Sequence, residues 1–362
     1  MRKSVVMSYW RKVRGFLFPT RYLVFWVAAV VFLITRLAIR FPQLTDNWYS
    51  HGLYPVIATI LSFFSRFVPF SLWDIFWTAF VLAAIVVILL LIFRKIRFTP
   101  TLLKTLQFLA ILYSYFYLVW GFNYFRPSID NRLHFPTGKL PDSLFIETLD
   151  TLIAQTNASW MEMDSLKKAD INSAVEASYK ANADFLQITY PNGYRRPKTM
   201  LYSGLFAKSG VSGYFGPFFN EVHINGKLLP TEYPFVLAHE KAHQFGMARE
   251  SEANFCAYVV CSTSSNPYLR YSANFNLIQY FLVDALPLKN YRDYVKKLRP
   301  EVIADIRAEQ KYWRSLRNEK LDRIQTAAND AYLKSNNIKQ GTLNYNQVVE
   351  LVLRWYEQKE KH

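Results

Sequence analysis

Two histidines flank a glutamate in the stretch FVLAHEKAHQFGMARESEANF, residues 235–255. His239, Glu240 and His243 form the pattern H-E-x-x-H in a chain that has six histidines in total. On a helix, positions i and i+4 face the same way, so both imidazoles can reach one ion. The glutamate between them points beside that ion, where it can take a proton from water. The pattern predicts a catalytic Zn²⁺ site, and its structural alternative is a solvated helix face that carries two histidines.

A catalytic zinc site needs a third protein ligand and leaves a fourth position open. Gly246 can end the first helix and turn the chain, so that a second helix begins near Arg249. Glu250 and Glu252 compete for the third position at the start of that helix. Glu250 shares a face with small residues that allow close approach to the first helix, whereas Glu252 shares a face with core-like residues. The sequence favours Glu250 and leaves Glu252 as the alternative.

Asn254 lies one helical turn after Glu250. From there its amide can hydrogen-bond a ligating histidine and fix the tautomer of the ring. The competing interpretation of Asn254 is an amide on the surface of a helix. The residue types leave both interpretations open.

The order H-E-x-x-H and then E-x-x-A-N, which begins at Glu250, resembles the gluzincin branch of zinc metallopeptidases. In that branch the later glutamate is the third zinc ligand, and the residue four positions on supports the ligands. This chain departs from the pattern, because only six residues separate His243 from Glu250, where typical gluzincins insert many more. The order H-E-x-x-H-x-x-G is also similar to metzincins, but their third histidine would fall at Arg249.

The closer resemblance is to the bacterial membrane family catalogued as domain of unknown function 3810, and it covers nearly the whole chain. The shared features are apolar amino-terminal segments and the stretches GYFGPFFNEVHIN, AHEKAHQFGMARESEANF, NDAYLKSN and GTLNYNQVVELVL. This resemblance implies several membrane helices followed by a domain that is metallopeptidase-like through the same motif. The name of the family assigns no activity.

The zincin resemblance implies two further roles. A strand upstream of the motif helix runs beside the substrate backbone in zincins, and glycines at positions 213 and 216 allow close approach here. The predicted substrate strand is NEVHIN, with contacts from Asn220, Val222, His223 and Asn225. His223 is interpreted as a strand residue that points into the cleft rather than as a ligand. A group that stabilises the oxyanion is expected after the second helix, and the candidates are Tyr268 and Tyr271.

Three long apolar runs precede the motif, at residues 22–39, 75–93 and 105–125. The second run has about nineteen residues without a charge, roughly the length that spans a bilayer core as a helix. The alternative for each run is a buried core helix. The segment 52–70 is also apolar, but two prolines and an arginine interrupt it. It is expected to be an interfacial helix or a re-entrant segment, with both possibilities open.

The formal net charge of +16 is concentrated beside the apolar runs. Residues 1–126 contain fourteen basic and two acidic side chains, whereas residues 127–362 contain twenty-nine and twenty-five. Basic residues cluster in the segment 1–21 and between the second and third runs, which follows the positive-inside rule. This distribution argues against a nucleic-acid partner. It predicts a multi-pass protein of the bacterial plasma (inner) membrane with a cytoplasmic amino terminus and an extracytoplasmic carboxy-terminal domain.

The domain order is predicted as a cytoplasmic basic segment 1–21, a membrane region 22–125, a proline-containing linker 126–142 and an extracytoplasmic domain 143–362. Helical periodicity flanks a short region rich in β-formers around residues 198–225. The predicted fold is three amino-terminal transmembrane α-helices followed by an α+β zincin-like domain. That domain has a small sheet, the H-E-x-x-H helix and a mostly helical carboxy-terminal half.

These features predict a membrane-anchored, zinc-dependent metallopeptidase-like protein whose partners are the lipid bilayer and envelope peptides or proteins. Glu240 would act as general base toward water that attacks the peptide carbonyl. The alternative is a non-catalytic, zinc-stabilised membrane-tethered receptor or scaffold, in which Glu240 is dispensable. An intramembrane protease is disfavoured, because Lys241, Arg249 and Glu250 lie beside the motif.

Overall fold

The computed structural model describes residues 20–336, 338 and 347–360. Most of the predicted basic segment 1–21 lies outside the described residues, as do residues 341–346 of the GTLNYNQVVELVL stretch. The fold is mostly helical, with 70% helix, and contains a small three-stranded sheet. The three apolar helices and the small sheet predicted from the sequence are confirmed.

The first third of the chain is helical. Its elements are, in chain order, a 3-10 turn Thr20–Tyr22, α1 Leu23–Arg40, α2 Pro42–Leu44, a π-helix Thr45–Leu53, α3 Tyr54–Ser65, α4 Leu72–Ile92, α5 Phe98–Val119 and a 3-10 turn Gly121–Phe125. Helices α1, α4 and α5 are long and apolar enough to cross a membrane, by length and composition. Their apolar side chains are largely exposed, which is compatible with a membrane protein.

Helices α4 and α5 begin and end at different residues from the apolar runs, because capping residues and proline determine where a helix starts. Helix α4 begins three residues before the run at 75, because the Ser71 hydroxyl accepts a hydrogen bond from the Asp74 amide at 2.9 Å and caps the helix. Helix α5 begins at Phe98, since a proline at position 100 falls in the first turn, where no backbone donor is needed. It ends at Val119, where the chain tightens into a 3-10 turn.

The remaining elements form a second, larger unit. They are α6 Ile129–Arg132, α7 Asp142–Ser159, α8 Lys168–Ala181, β1 Lys198–Thr199, α9 Ser203–Lys208, β2 Gly213–Gly216, β3 Glu221–Ile224, α10 Tyr233–Gln244, α11 Glu250–Ser262, α12 Pro267–Asp284, α13 Tyr291–Lys297, α14 Pro300–Leu316, α15 Glu319–Ser335 and α16 Val348–Glu360. One apolar core joins α7, α8, α10, α11, α12 and α16. Helix α11 lies at its centre, with almost all of its residues buried.

The strand order is β1–β3–β2, so NEVHIN forms the central strand. β3 pairs in parallel with β1, where Lys198 lies opposite His223, and antiparallel with β2, where Gly216 lies opposite Glu221. The prediction that NEVHIN adds the substrate as a further strand is therefore wrong, because both of its edges are already hydrogen-bonded. The edge strand beside the motif helix is β2.

The larger unit is packed directly on the ends of the apolar helices. The Glu221 carboxylate accepts hydrogen bonds from the backbone amides of Leu72 at 3.0 Å and Trp73 at 3.2 Å, at the start of α4. Residues 126–142, predicted as a linker, contain α6 and are partly buried. Within them, Arg126 forms a buried ion pair with Asp46 at 2.7 Å. The chain between the two units is thus held by specific polar contacts.

Candidate metal centre

Helix α10 carries the H-E-x-x-H motif into the core. It begins at Tyr233, with Pro234 in the first turn, where proline needs no amide donor. The rings of His239 and His243 lie one turn apart with centroids 4.8 Å from each other. Both histidines are buried, as is Glu240 between them. The two imidazoles therefore face the same enclosed space, as the i and i+4 spacing predicts.

A tight turn at Gly246 brings the next helix back against α10. Gly246 has a φ of +89°, and a Cβ at this position would lie 3.0 Å from Asn123 Oδ1. Both facts require glycine. The Met247 amide donates to the Ala242 carbonyl at 3.0 Å and completes the turn. Helix α11 then begins at Glu250.

The turn places one carboxylate beside both imidazoles. Glu250 Oε2 lies 3.1 Å from His239 Nε2 and 3.4 Å from His243 Nε2, and the two Nε2 atoms are 3.2 Å apart. Ligand atoms around a tetrahedral zinc are about 3.4 Å apart, given zinc–ligand distances of roughly 2.0–2.2 Å. Within residues 20–336, 338 and 347–360, this is the one group of three metal-ligating side chains that meets in this way. The donor set and spacing fit a zinc ion.

The competing carboxylate, Glu252, lies elsewhere. Its Oε1 accepts from Arg249 at 2.7 Å and from the Ile129 amide at 3.1 Å, and its Oε2 lies 3.5 Å from Arg132. Glu252 and Arg132 are both buried, so this is a structural ion-pair cluster. The structure brings Glu250, and not Glu252, to the two histidines.

A hydrogen bond at Nδ1 orients each of the two histidine rings. His239 Nδ1 lies 2.7 Å from Asn254 Oδ1, and His243 Nδ1 lies 2.6 Å from the Met247 carbonyl oxygen. Because both partners are acceptors, each ring donates from Nδ1 and keeps Nε2 free for an ion. This is the orienting contact that the sequence suggested for Asn254.

Glu240 lies beside the three ligating groups in a position suited to a base. A Cβ on Gly213 would come within 2.5 Å of Glu240 Oε1, so strand β2 passes the carboxylate at a distance that only glycine allows. Within the described residues, Glu240 Oε2 is buried without a hydrogen-bond partner. Burial raises the pKa of Glu240 to about 7, despite the opposing charges of His239 and His243. Such a carboxyl can exchange a proton near neutral pH.

The negative charge of Glu250 dominates the electrostatics of the ligand groups, and in the absence of an ion it favours a proton on His243 that an ion would displace. Burial lowers the pKa of His243, but the nearby charge of Glu250 outweighs it and raises this pKa to about 9. Burial also opposes ionisation of Glu250, yet the two histidines hold its pKa well below the usual range. The carboxylate is therefore charged at neutral pH and attracts positive charge to the space between the rings.

The two predicted oxyanion residues lie away from this centre. The Tyr271 hydroxyl is hydrogen-bonded to Asp305, and Tyr268 packs on the apolar core. Four other tyrosines line the cavity that contains the histidines. The hydroxyls of Tyr214 and Tyr124 are hydrogen-bonded to Asp74 and Tyr332, which leaves Tyr280 of α12 and Tyr332 of α15 as the candidates. Tyr332 belongs to the NDAYLKSN stretch, which the sequence singled out without giving it a role. Its hydroxyl accepts a hydrogen bond from Tyr124 at 3.1 Å, so its own proton can be donated elsewhere.

The predicted substrate-strand residues also have structural partners. His223 is buried, lies 3.2 Å from Glu221 and stacks on Tyr214. Asn220 donates to the Tyr54 hydroxyl at 3.2 Å, and Asn225 donates to the Val211 carbonyl at 2.8 Å. Val222 is buried in the core. These four residues lie outside the lining of the cavity, where β2 and not β3 is found.

The cavity has a volume of about 1480 Å³ and is walled by three parts of the molecule. The ends of α4 and α5 form one wall, β2 and α10 a second, and α12, α14 and α15 a third. His239, Glu240, His243 and Glu250 all line it. This volume is large enough to hold several residues of an extended peptide.

Most of the chain matches one known protein family. The family model described as "Protein of unknown function (DUF3810)" matches residues 49–353. The chain belongs to this family. No curated protein and no solved structure matches it.

The cavity also contains a pair of carboxyl groups, Glu232 and Glu309. The sequence did not predict this pair, because the two residues lie 77 positions apart. Glu232 accepts hydrogen bonds from Trp313 Nε1 at 2.7 Å and from the Leu229 amide at 3.0 Å, and Glu309 accepts from Gln279 at 2.8 Å. Burial and the charge of Glu309 raise the pKa of Glu232 to about 8. Burial also raises the pKa of Glu309. The pair thus retains a proton at neutral pH.

Replacing Glu309 with glutamine is expected to stabilise the protein at about pH 9 and to leave stability at about pH 4 almost unchanged. The folded-state pKa of Glu232 is raised from 4.5 to about 8. The proton on Glu232 therefore contributes fully to the free energy of unfolding at pH values below the unfolded-state pKa. This contribution is lost as the pH rises toward 8. Melting temperatures of wild type and Glu309→Gln across this range measure the effect. Glu301→Gln, an exposed change on the same helix, is the control; an equal pH-dependent shift in both variants would contradict the assignment.

Proposed function

We propose that this DUF3810 protein is a membrane-anchored zinc metallopeptidase with a zincin-like domain. The observation that carries the proposal is the meeting of His239, His243 and Glu250 within 4.8 Å. Beside them lies Glu240, whose Oε2 has no hydrogen-bond partner among the residues that the structure describes. Three protein ligands and a free base are the parts that a hydrolytic zinc site requires. A purely structural zinc site is closed by a fourth protein ligand, whereas this group opens into a large cavity.

His239, His243 and Glu250 would hold the zinc. When bound, the ion polarises a carbonyl oxygen and makes water more acidic. Glu240 takes the proton of the attacking water and transfers it to the leaving amine. A hydrogen bond from Tyr280 or Tyr332 stabilises the negative charge that develops on the carbonyl oxygen. Burial and the charge of Glu250 raise the pKa of Tyr280 to about 12, so this hydroxyl keeps its proton at neutral pH.

The free edge of β2 is the place for the peptide backbone. β2 is hydrogen-bonded to β3 on one side, while Gly213, Tyr214 and Phe215 line the cavity on the other. An extended peptide that adds to this edge gains main-chain hydrogen bonds. Because Gly213 lies against Glu240, the backbone of the peptide would pass directly beside the base.

The three apolar helices support a membrane anchor. With the positive-inside distribution of charge, α1 leaves the cytoplasm, α4 returns to it and α5 leaves it again. The Arg40, Leu72 and Val119 ends of these helices then lie at the outer surface of a bacterial plasma membrane. The site lies on that side, so its substrates would be envelope peptides or proteins.

Zinc-dependent cleavage tests the proposal. Full-length protein in detergent, loaded with one equivalent of zinc, is expected to cleave members of a randomised peptide library, with products detected by mass spectrometry. A chelator should abolish cleavage, and added zinc should restore it. Stoichiometric zinc without cleavage of any peptide would contradict the enzymatic assignment and favour a scaffold.

A further inference from the structure

The position of the site relative to the apolar helices points to a substrate class. We propose that the natural substrate is a polypeptide with an apolar membrane anchor, cleaved within a few residues of the point where it leaves the bilayer. This inference rests on the proposed peptidase function and on the proposed topology. It adds that the cavity takes its substrate from the membrane surface and not from free solution.

The motif helix is fixed to the outer end of a membrane helix. Trp120, the residue after α5, donates from Nε1 to the His243 carbonyl at 2.9 Å, and its ring centroid lies 6.4 Å from that of His243. Tyr54, the first residue of α3, donates to the Gln244 carbonyl at 2.7 Å. The carboxy-terminal end of α10 thereby receives two side-chain donors from the membrane side, and its His243 carbonyl also accepts from the Gly246 amide at 3.0 Å. The ligating histidines are next to the bilayer surface.

The turn between β2 and β3 reaches below the ends of the helices. The Phe218 ring contacts the ring of Phe76 at 5.5 Å, and the Phe218 carbonyl accepts from Tyr115 at 2.8 Å. Phe76 and Tyr115 each lie four residues inside their helix, about 6 Å below its end at 1.5 Å per residue. Helix α9 begins close to the same level, since the Tyr202 hydroxyl that precedes it lies 2.8 Å from Thr78 Oγ1. Exposed Leu201 and Leu205 beside it are suited to the membrane interface.

Strand β2 runs from the outer ends of the membrane helices to the general base Glu240. A Cβ on Gly216 would lie 3.0 Å from the Trp73 ring at the start of α4, while Gly213 lies against Glu240. The three steps from Gly216 to Gly213 cover about 10 Å at the rise of a β-strand. A peptide on the free edge of β2 would therefore travel from the membrane surface to the scissile position in about three residues.

The cavity lining from the membrane helices is aromatic, whereas the lining from α14 and α15 includes charged side chains. Trp77 and Phe116 line it from positions five and three residues inside α4 and α5. Arg314 of α14, Arg317 of the following link and Asp322 of α15 also line it. A free hydrophilic peptide leaves the aromatic wall without a partner. A chain that passes from an apolar segment to a polar one complements both walls.

Three matched probes test this inference with the full-length protein in vesicles of phosphatidylethanolamine and phosphatidylglycerol. One is a randomised twelve-residue peptide joined directly to a twenty-residue leucine–alanine membrane segment, at either end. The second carries a fifteen-residue glycine–serine spacer between the two parts, and the third is the soluble randomised peptide. Cleavage of the directly anchored probe is expected to exceed that of the other two by about tenfold or more. Its cut sites should fall within about six residues of the anchor.

The cleavage pattern of the three probes distinguishes the anchored-substrate proposal from the peptidase proposal. Equal cleavage of all three probes would overturn the anchored substrate while leaving the peptidase in place. Equal cleavage of both anchored probes, with cuts spread along the spacer, would show that enrichment at the membrane and not the position of the site is responsible. Cleavage of none of the probes would contradict the peptidase itself.

Photo-crosslinking gives a second readout that does not require turnover. A benzoylphenylalanine in place of Trp77, in the Glu240→Gln background, is expected to capture the directly anchored probe and not the soluble peptide. The same group in place of Ile88, exposed further along the same helix, is the matched control. Equal capture at both positions, or capture at neither, would contradict entry of the substrate along the aromatic wall.

Discussion

Replacing Glu240 with glutamine is expected to lower the rate of peptide hydrolysis by about 10²–10⁴-fold. The amide fills the same space beside Gly213 but cannot accept the proton of the attacking water. Zinc content and melting temperature should be preserved, because Glu240 is not one of the three ligands and, within the described part of the chain, its Oε2 has no hydrogen bond to lose. Steady-state cleavage of a peptide from the library, together with elemental analysis of the same sample, measures both effects.

Glu309→Gln is the matched control for this experiment. Glu309 lines the same cavity and carries the same kind of side chain, but it is hydrogen-bonded to Gln279 and is not one of the three groups that meet at the metal centre. Its activity at neutral pH is expected to stay within a few-fold of wild type, far from the loss at Glu240. Turnover by Glu240→Gln close to the wild-type rate would refute the role of Glu240 as general base.

The alanine variants of Glu250 and Glu252 are expected to fail in opposite ways. Glu250→Ala should lose bound zinc, because two imidazoles remain where three ligands are needed. Glu252→Ala should keep zinc while the folded state loses about 3–5 kcal/mol of stability, since Arg132 would stay buried without its partner. Zinc per chain after dialysis and thermal unfolding of both variants separate the two effects.

The same pair of variants shows which glutamate is the ligand. The two side chains are two residues apart on α11, about 200° around the helix at 100° per residue, so each can be changed without moving the other. Loss of zinc from Glu252→Ala with retention in Glu250→Ala would reverse the assignment. Loss from both with equal destabilisation would show that zinc content follows folding alone.

The local parts of the site could be predicted from the sequence. The i and i+4 spacing of His239 and His243 depends only on their being helical, and the break at Gly246 depends on one residue type. The apolar helices α1 and α4 follow their apolar runs to within three residues, because hydropathy and length determine such segments. These features need no knowledge of which distant elements meet.

The parts that depend on long-range packing could not be predicted. The choice of β2 over β3 as the edge strand follows from strand order, and two short β-rich segments look alike in sequence. Tyr280 and Tyr332 enter the cavity from helices 52 positions apart, so no spacing rule connects them to the motif. The docking of Trp120 on His243 likewise depends on how the larger unit sits on the apolar helices.

The proposed function depends on the binding of one zinc ion by His239, His243 and Glu250. A crystal of the full-length protein grown with one equivalent of zinc, and measured on both sides of the zinc absorption edge, tests it most directly. We expect a single strong anomalous peak about 2.0–2.2 Å from the two Nε2 atoms and one carboxylate oxygen of Glu250. An ordered site without such a peak, or a peak held by other residues, would contradict it.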